Sequence, residues 1–236
     1  MEWQLTIDSS MLKNGYDSTI VKLLNVSYDY NSNRGIDGIS LAIRKGEFAT
    51  LVGRTGSGKT TLFRIISLEL FPDSGEVMLL KMKSSQIKRK KLPEWRRQLG
   101  IVFQGLQLIG DRSVLDNIRL AALCERRLSG SAKSRSLHAL SQVGMAHRLH
   151  DRAAQLSTGE QQRVAIARAI VNEPFVLLAD EPVSNLDAET SSEVINILQK
   201  INSAGTAVVV ATHQPERFAI CNPREIRLEH GKVVES

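Results

Sequence analysis

The run Gly53-Arg54-Thr55-Gly56-Ser57-Gly58-Lys59-Thr60, followed by Thr61, has the G-x-x-x-x-G-K-[ST] spacing of a loop that cradles the phosphates of a nucleoside triphosphate. Glycines admit backbone conformations closed to other residues, so successive N–H groups can converge on phosphate oxygens. The N-terminus of the following helix adds partial positive charge at the same place. Lys59 then reaches the terminal phosphates as a point charge, and the Thr60 hydroxyl is placed to ligate Mg²⁺. A second dense feature is Asp180-Glu181, directly after the apolar run Phe175-Val176-Leu177-Leu178-Ala179. Ligands of open α/β sheets bind beyond the C-terminal ends of strands, and two adjacent acids there call for a cation. Asp180 is read as holding Mg²⁺ against the phosphates. Glu181, on the other face of the extended chain, is read as the base that orients and deprotonates the attacking water.

In Leu156-Ser157-Thr158-Gly159-Glu160-Gln161-Gln162-Arg163, Ser157 and Glu160 form a capping box for a helix. A cap alone does not require glycine at 159. A serine hydroxyl, a bare glycine N–H and a helix N-terminus together make a second phosphate site.

These residues need a scaffold, and the chain supplies one. Phe48-Ala49-Thr50-Leu51-Val52 reads as a buried strand entering the loop, and Thr61 to Ile66 as the helix leaving it. Upstream, strands at Ile20 to Tyr30 and Ile39 to Ile43 flank a turn at Asn31 to Gly35, which predicts a small antiparallel side sheet against which a base can rest. Residues 1–18 are polar and irregular, an N-terminal extension to a domain spanning 19–236. From about 105 to 155 the spacing turns helical at Leu115 to Leu123 and Leu137 to Val143, with Ser129-Gly130-Ser131 between them, which predicts an inserted helical subdomain. His147 and His150 lie three apart there without a Cys or carboxylate to complete a metal site, and read as surface residues. Downstream come a helix at Gly159 to Val171, the strand 175–179, a helix at Ala188 to Ser203 and a strand at Ala207 to Ala211. Apolar runs alternating with helices imply a parallel sheet covered on both faces. The predicted fold is α/β, a P-loop NTPase parallel-sheet core with an antiparallel β side sheet and the inserted helical subdomain.

The 236 residues carry a net charge of +6, concentrated at Lys81, Lys83, Lys88 to Lys91, Arg96 and Arg97, and read as a solvated basic face. Cys124 and Cys221 have no metal-ligand spacing and read as free thiols. No apolar run approaches the roughly 18 residues of a membrane helix, and no secretory signal opens the chain, so any action at a membrane requires a partner that spans it.

Taken in order, the phosphate loop, Val102-Phe103-Gln104, the 156–163 segment, Leu177-Leu178-Ala179-Asp180-Glu181-Pro182, Ser184-Asn185-Leu186-Asp187 and Ala211-Thr212-His213 resemble the motifs of ABC transporter ATP-binding subunits over about residues 20 to 235. The resemblance implies ATP and Mg²⁺ as ligands and Mg-dependent ATP hydrolysis. It implies that Gln104 links Mg²⁺ and the attacking water to the helical subdomain, that His213 contacts the γ-phosphate, and that Tyr30, or else Tyr28 on the same strand face, stacks on adenine. It further implies a head-to-tail homodimer formed on ATP binding, in which Ser157, Gly159 and Glu160 of one chain close over ATP held by Lys59 of the other, with Asp187 at the shared interface. Thr158, Gln214 and Val183 depart from the residues common in the family, and the first two touch the closed site.

Arg96 to Gln104, Asp111 to Asn117 and Ala179 to Asp187 resemble the branch containing FtsE, LolD and MacB, with the nearest look to FtsE. That implies a cytoplasmic subunit, peripheral on the inner face of the cell membrane through an integral permease-like protein, either FtsX-like with a role in cell division or LolC/MacB-like. The alternatives are a LolD/MacB-like exporter ATPase and a slow ATP-gated clamp. A nucleic-acid-linked ABC protein is not expected, since the chain has one phosphate loop, no heptads and no Cys clusters.

Overall fold

The computed structural model describes residues 18–30, 33–123 and 131–235. Most of the expected N-terminal extension, the turn residues Asn31-Ser32, Ser129-Gly130 and Cys124 lie outside the described residues. In chain order the elements are β1 (Thr19–Tyr30), β2 (Asn33–Arg44), β3 (Phe48–Val52), α1 (Lys59–Ile66), β4 (Ser74–Leu79), β5 (Met82–Lys83), α2 (Leu92–Arg96), β6 (Leu99–Val102), α3 (Val114–Leu123), α4 (Ala132–Gln142), α5 (Thr158–Ile170), β7 (Val176–Asp180), α6 (Ala188–Ser203), β8 (Ala207–Thr212), β9 (Arg224–Glu229) and β10 (Lys232–Glu235). Asn33 to Gly35, expected in a turn, instead belong to β2, where Asn33 and Arg34 pair with Tyr30 and Asp29 at the end of β1.

The strands form two sheets. One is antiparallel, in the order β2-β1-β4-β5, and is the predicted side sheet. The other runs β10-β9-β3-β8-β7-β6, with β9, β3, β8, β7 and β6 mutually parallel and β10 antiparallel at one edge. In its centre the side-chain period of two sends alternate residues to opposite faces. Val176 and Leu178 of β7, and Ala207, Val209 and Ala211 of β8, join the core shared with α1 and the side sheet. Leu177, Ala179, Val208 and Val210 join the core shared with α3, α4, α5 and α6. Both faces of the central strands are therefore buried, as their unbroken apolar runs require.

Register decides where the chemistry falls. Val52 pairs with Thr212, Ala211 with Asp180, and Ala179 with Val102. Four parallel strands thus end side by side, and the residues that follow them emerge at one edge of the sheet.

Candidate functional site

The phosphate loop occupies the turn between β3 and α1. Gly58 is the N-cap of α1 at φ 105, a left-handed conformation that L side chains resist, and a Cβ there would lie 2.7 Å from the Gly35 carbonyl oxygen. Gly53 is required for a different reason: its φ is not positive, but a Cβ would lie 2.3 Å from Leu228 O and 2.5 Å from Ser57 Oγ. Arg54, Thr55 and Gly56 are exposed at the loop's crest. The Lys59 ammonium turns back into the loop and donates to Gly53 O (2.6 Å) and Arg54 O (3.2 Å). The Ser57 hydroxyl is buried within the loop without a hydrogen-bond partner, an unmet polar group where phosphate oxygens would fit.

Thr60 Oγ1 donates to Asp180 Oδ2 at 3.2 Å, which brings together the hydroxyl and the carboxylate read as sharing a cation. Burial raises the Asp180 pKa, the Thr60 hydrogen bond opposes that rise, the neighbouring Glu181 charge adds to it, and Lys59 opposes it. A divalent cation at this place would relieve the buried negative charge.

Glu181 departs from the extended geometry expected of it. The strand stops at Asp180, and Glu181 takes φ 48, a left-handed conformation uncommon for a residue with a side chain. The turn aims its carboxylate across to the next strand, where Oε1 lies 2.9 Å from Nδ1 of His213 at the end of β8. Gln104, exposed after β6, shares with Asp180, Glu181, Pro182 and Thr158 a cleft of about 460 Å³. Of the two tyrosines, Tyr30 is exposed and its hydroxyl lies 3.5 Å from Thr61 Oγ1 on α1, whereas Tyr28 packs against the core and meets the Tyr30 ring edge-on at 4.9 Å.

At α5 the capping box is formed: Glu160 N donates to Ser157 Oγ (3.3 Å), and Ser157 N donates to Glu160 Oε2 (2.9 Å). That second bond, from the Ser157 backbone, lowers the Glu160 pKa most. Gly159 has a packing reason to be glycine beside the anion-binding one expected of it. Gly159 is buried, and a Cβ there would lie 2.1 Å from Thr190 Cγ2 on α6, so close helix packing demands the glycine. Thr190 in turn is held by Asp187, which caps α6 by accepting from Thr190 N (2.9 Å) and Thr190 Oγ1 (2.8 Å).

The chain matches the family model described as "ABC transporter" over residues 36–184. The chain belongs to the ABC transporter family. It is an ATP-binding cassette and an ABC-type ATPase, with the P-loop α/β fold of that family. It is 38% identical to the "Cell division ATP-binding protein FtsE" of Streptococcus pneumoniae serotype 2 (strain D39 / NCTC 7466), across 92% of this chain and 94% of the relative. It is 42% identical to the "Lipoprotein-releasing system ATP-binding protein LolD" of Aquifex aeolicus (strain VF5), across 84% and 89%. Among solved structures, the dimeric bacterial ABC transporter cassette MJ0796 superposes with a TM-score of 0.82 at 34% identity, covering 92% of this chain and 97% of that one. The same cassette has also been solved as a dimer in a post-hydrolysis state bound to ADP and Pi.

Sequence reasoning missed three participants in this cassette's site. Gly35 lets the Tyr30 ring and Thr61 approach within about 3 Å of where its Cβ would be (3.1 and 3.2 Å), Thr190 sets the spacing at Gly159, and Arg168 grips the backbone beyond Gln104. A glycine inside a strand pattern was the available signal for the first. The other two depend on contacts between elements distant in sequence.

Proposed function

We propose that this cassette powers a separate integral membrane protein of the FtsX type, and that it acts in cell division through ATP-driven closure of a homodimer. The observation that carries the hydrolytic part is the convergence of Lys59, Thr60, Asp180, Glu181 and His213 at adjoining strand ends of one sheet. The FtsE relatives from Streptococcus pneumoniae and from Bacillus subtilis (strain 168), 38% and 40% identical and matched over 94% and 90% of their length, support the cell-division role. The LolD relative supports a second reading, a cassette for a LolC/MacB-like permease.

In this proposal the loop from Gly53 to Thr61 holds the triphosphate and Tyr30 carries the adenine. Thr60, Asp180 and Gln104 hold Mg²⁺, which when bound neutralises phosphate charge. Glu181 accepts the proton of the attacking water, oriented by Gln104, while His213 steadies the Glu181 carboxylate and faces the γ-phosphate. Ser157, Gly159, Glu160 and Asp187 of the second chain close the site in trans. No nucleic-acid partner is part of this proposal; within the basic cluster Lys83 pairs with Glu76, Lys91 with Glu94, and Arg96 donates to Leu68 O. In this proposal the partner holds the protein at the inner membrane face; no described helix is long and apolar enough to cross a membrane.

Affinity purification of the chain from detergent-solubilised membranes, with ATP turnover measured before and after adding the captured protein, tests this. An FtsX-type protein that stimulates turnover is expected. A lipoprotein-release permease in its place supports the second reading, and turnover indifferent to any captured membrane protein contradicts both.

A further inference from the structure

Immediately after Gln104 the backbone takes three successive positive φ values: Gly105 at 129, Leu106 at 52 and Gln107 at 49. Gln107 N closes the turn on Gly105 O at 2.5 Å. A glycine tolerates this region, but leucine and glutamine do not favour it, so the conformation persists only where neighbouring structure imposes it. The imposing group is on α5. Arg168 Nη1 donates to Gln107 O and Nη2 donates to Leu106 O, both at 2.6 Å. A planar guanidinium spans two adjacent carbonyls in a way that a lysine ammonium cannot.

The position of Arg168 gives the contact a consequence. Ser157 caps α5 and Gly159 lies in its first turn, while Arg168 lies in its last turn, about 15 Å further along at 1.5 Å per residue. The helix is fixed to α6 at both Gly159, against Thr190, and Arg163, whose Nη1 meets Glu193 Oε2 at 2.7 Å. Displacement of its first turn therefore carries Arg168 with it. We propose that Arg168 is a positioning residue that locks the strained backbone beyond Gln104 to the helix bearing Ser157 and Gly159. Under the head-to-tail reading on which this rests, Gln104 faces the ATP of its own chain and Ser157 the ATP of the other, so the clamp joins the two composite sites.

The test uses the full chain with Arg168→Leu, which removes both donors, and Arg168→Lys, which keeps the charge but can satisfy one carbonyl. Amide hydrogen exchange over residues 104–109, kcat, KM for ATP and melting temperature are measured for each. The expected result is faster exchange confined to that segment, greatest in Arg168→Leu and intermediate in Arg168→Lys, with kcat lowered about ten-fold and KM unchanged, the scale of losing charge-assisted hydrogen bonds. Unchanged exchange and unchanged kcat overturn the proposal. So does exchange that rises evenly through all helices together with weaker ATP binding, since Arg168 would then serve only global stability. If the parent protein binds no ATP, the nucleotide reading fails while the exchange pattern still decides whether the clamp exists.

Discussion

Glu181 Oε1 lies 2.9 Å from His213 Nδ1, a pair built by two neighbouring parallel strands in register near their ends, where Asp180, the last residue of β7, pairs with Ala211, one residue before the end of β8. The left-handed turn at Glu181 is what swings its carboxylate sideways to the histidine. With Nδ1 carrying the proton, His213 donates to Glu181. His213→Ala should lower ATP turnover by roughly 10²-fold, the scale of losing one preorganised group. Nucleotide affinity of the isolated subunit should hold, because the phosphate loop is untouched. Steady-state turnover beside equilibrium titration with a fluorescent ATP analogue checks this, and undiminished turnover contradicts a shared role for the pair.

Asp180 is held at a cost to the nucleotide-free protein. Burial, with help from Glu181, raises its pKa above that of the unfolded chain, so the folded state disfavours its ionised form. The resulting penalty is absent below the unfolded carboxylate pKa, grows as pH rises through the interval, and is complete above the folded value. Asp180→Asn should therefore raise the melting temperature of the nucleotide-free protein at pH 7. The gain should vanish in acid, and Mg-dependent hydrolysis should be lost. Thermal unfolding across pH with parallel turnover assays checks this; a variant less stable at pH 7 contradicts it.

At Gly159 the decisive neighbour is Thr190. Gly159→Ala places a methyl 2.1 Å from Thr190 Cγ2 and should destabilise by about 1–3 kcal/mol, the range of overpacked contacts. ATP binding to the isolated subunit should persist while turnover falls. Adding Thr190→Ser, which removes Cγ2 but keeps the hydroxyl that donates to Asp187, should recover part of both stability and turnover. Absence of any recovery in the double variant contradicts the packing account.

The parts of the fold that the sequence displays are those whose signal is local. β3, β7 and β8 are apolar runs buried on both faces, α6 begins at the Asp187 cap, and α5 carries its capping box in four residues. β9 was hidden because Arg-Glu-Ile-Arg-Leu-Glu buries only Ile226 and Leu228, and β10 because it is a four-residue edge strand. β6, only four residues long, takes its identity from pairing with β7. At the site, Lys59, Thr60 and Asp180 were legible from motif and strand end. The turn at Glu181 has no glycine to announce it, and the contacts of Gly159 with Thr190 and of Arg168 with Leu106 and Gln107 cross 31, 62 and 61 positions of sequence.

The most direct test of the account is the mass of Glu181→Gln in solution. The amide keeps the shape of the carboxylate but cannot take the proton of water, so hydrolysis should fall by roughly 10²–10⁴ while Mg-ATP remains bound. Multi-angle light scattering in saturating Mg-ATP should then show a stable dimer, and the same protein without nucleotide should be a monomer. A Glu181→Gln protein that binds ATP and stays monomeric contradicts closure of two chains over shared ATP, and one that hydrolyses at the parent rate contradicts Glu181 as the base.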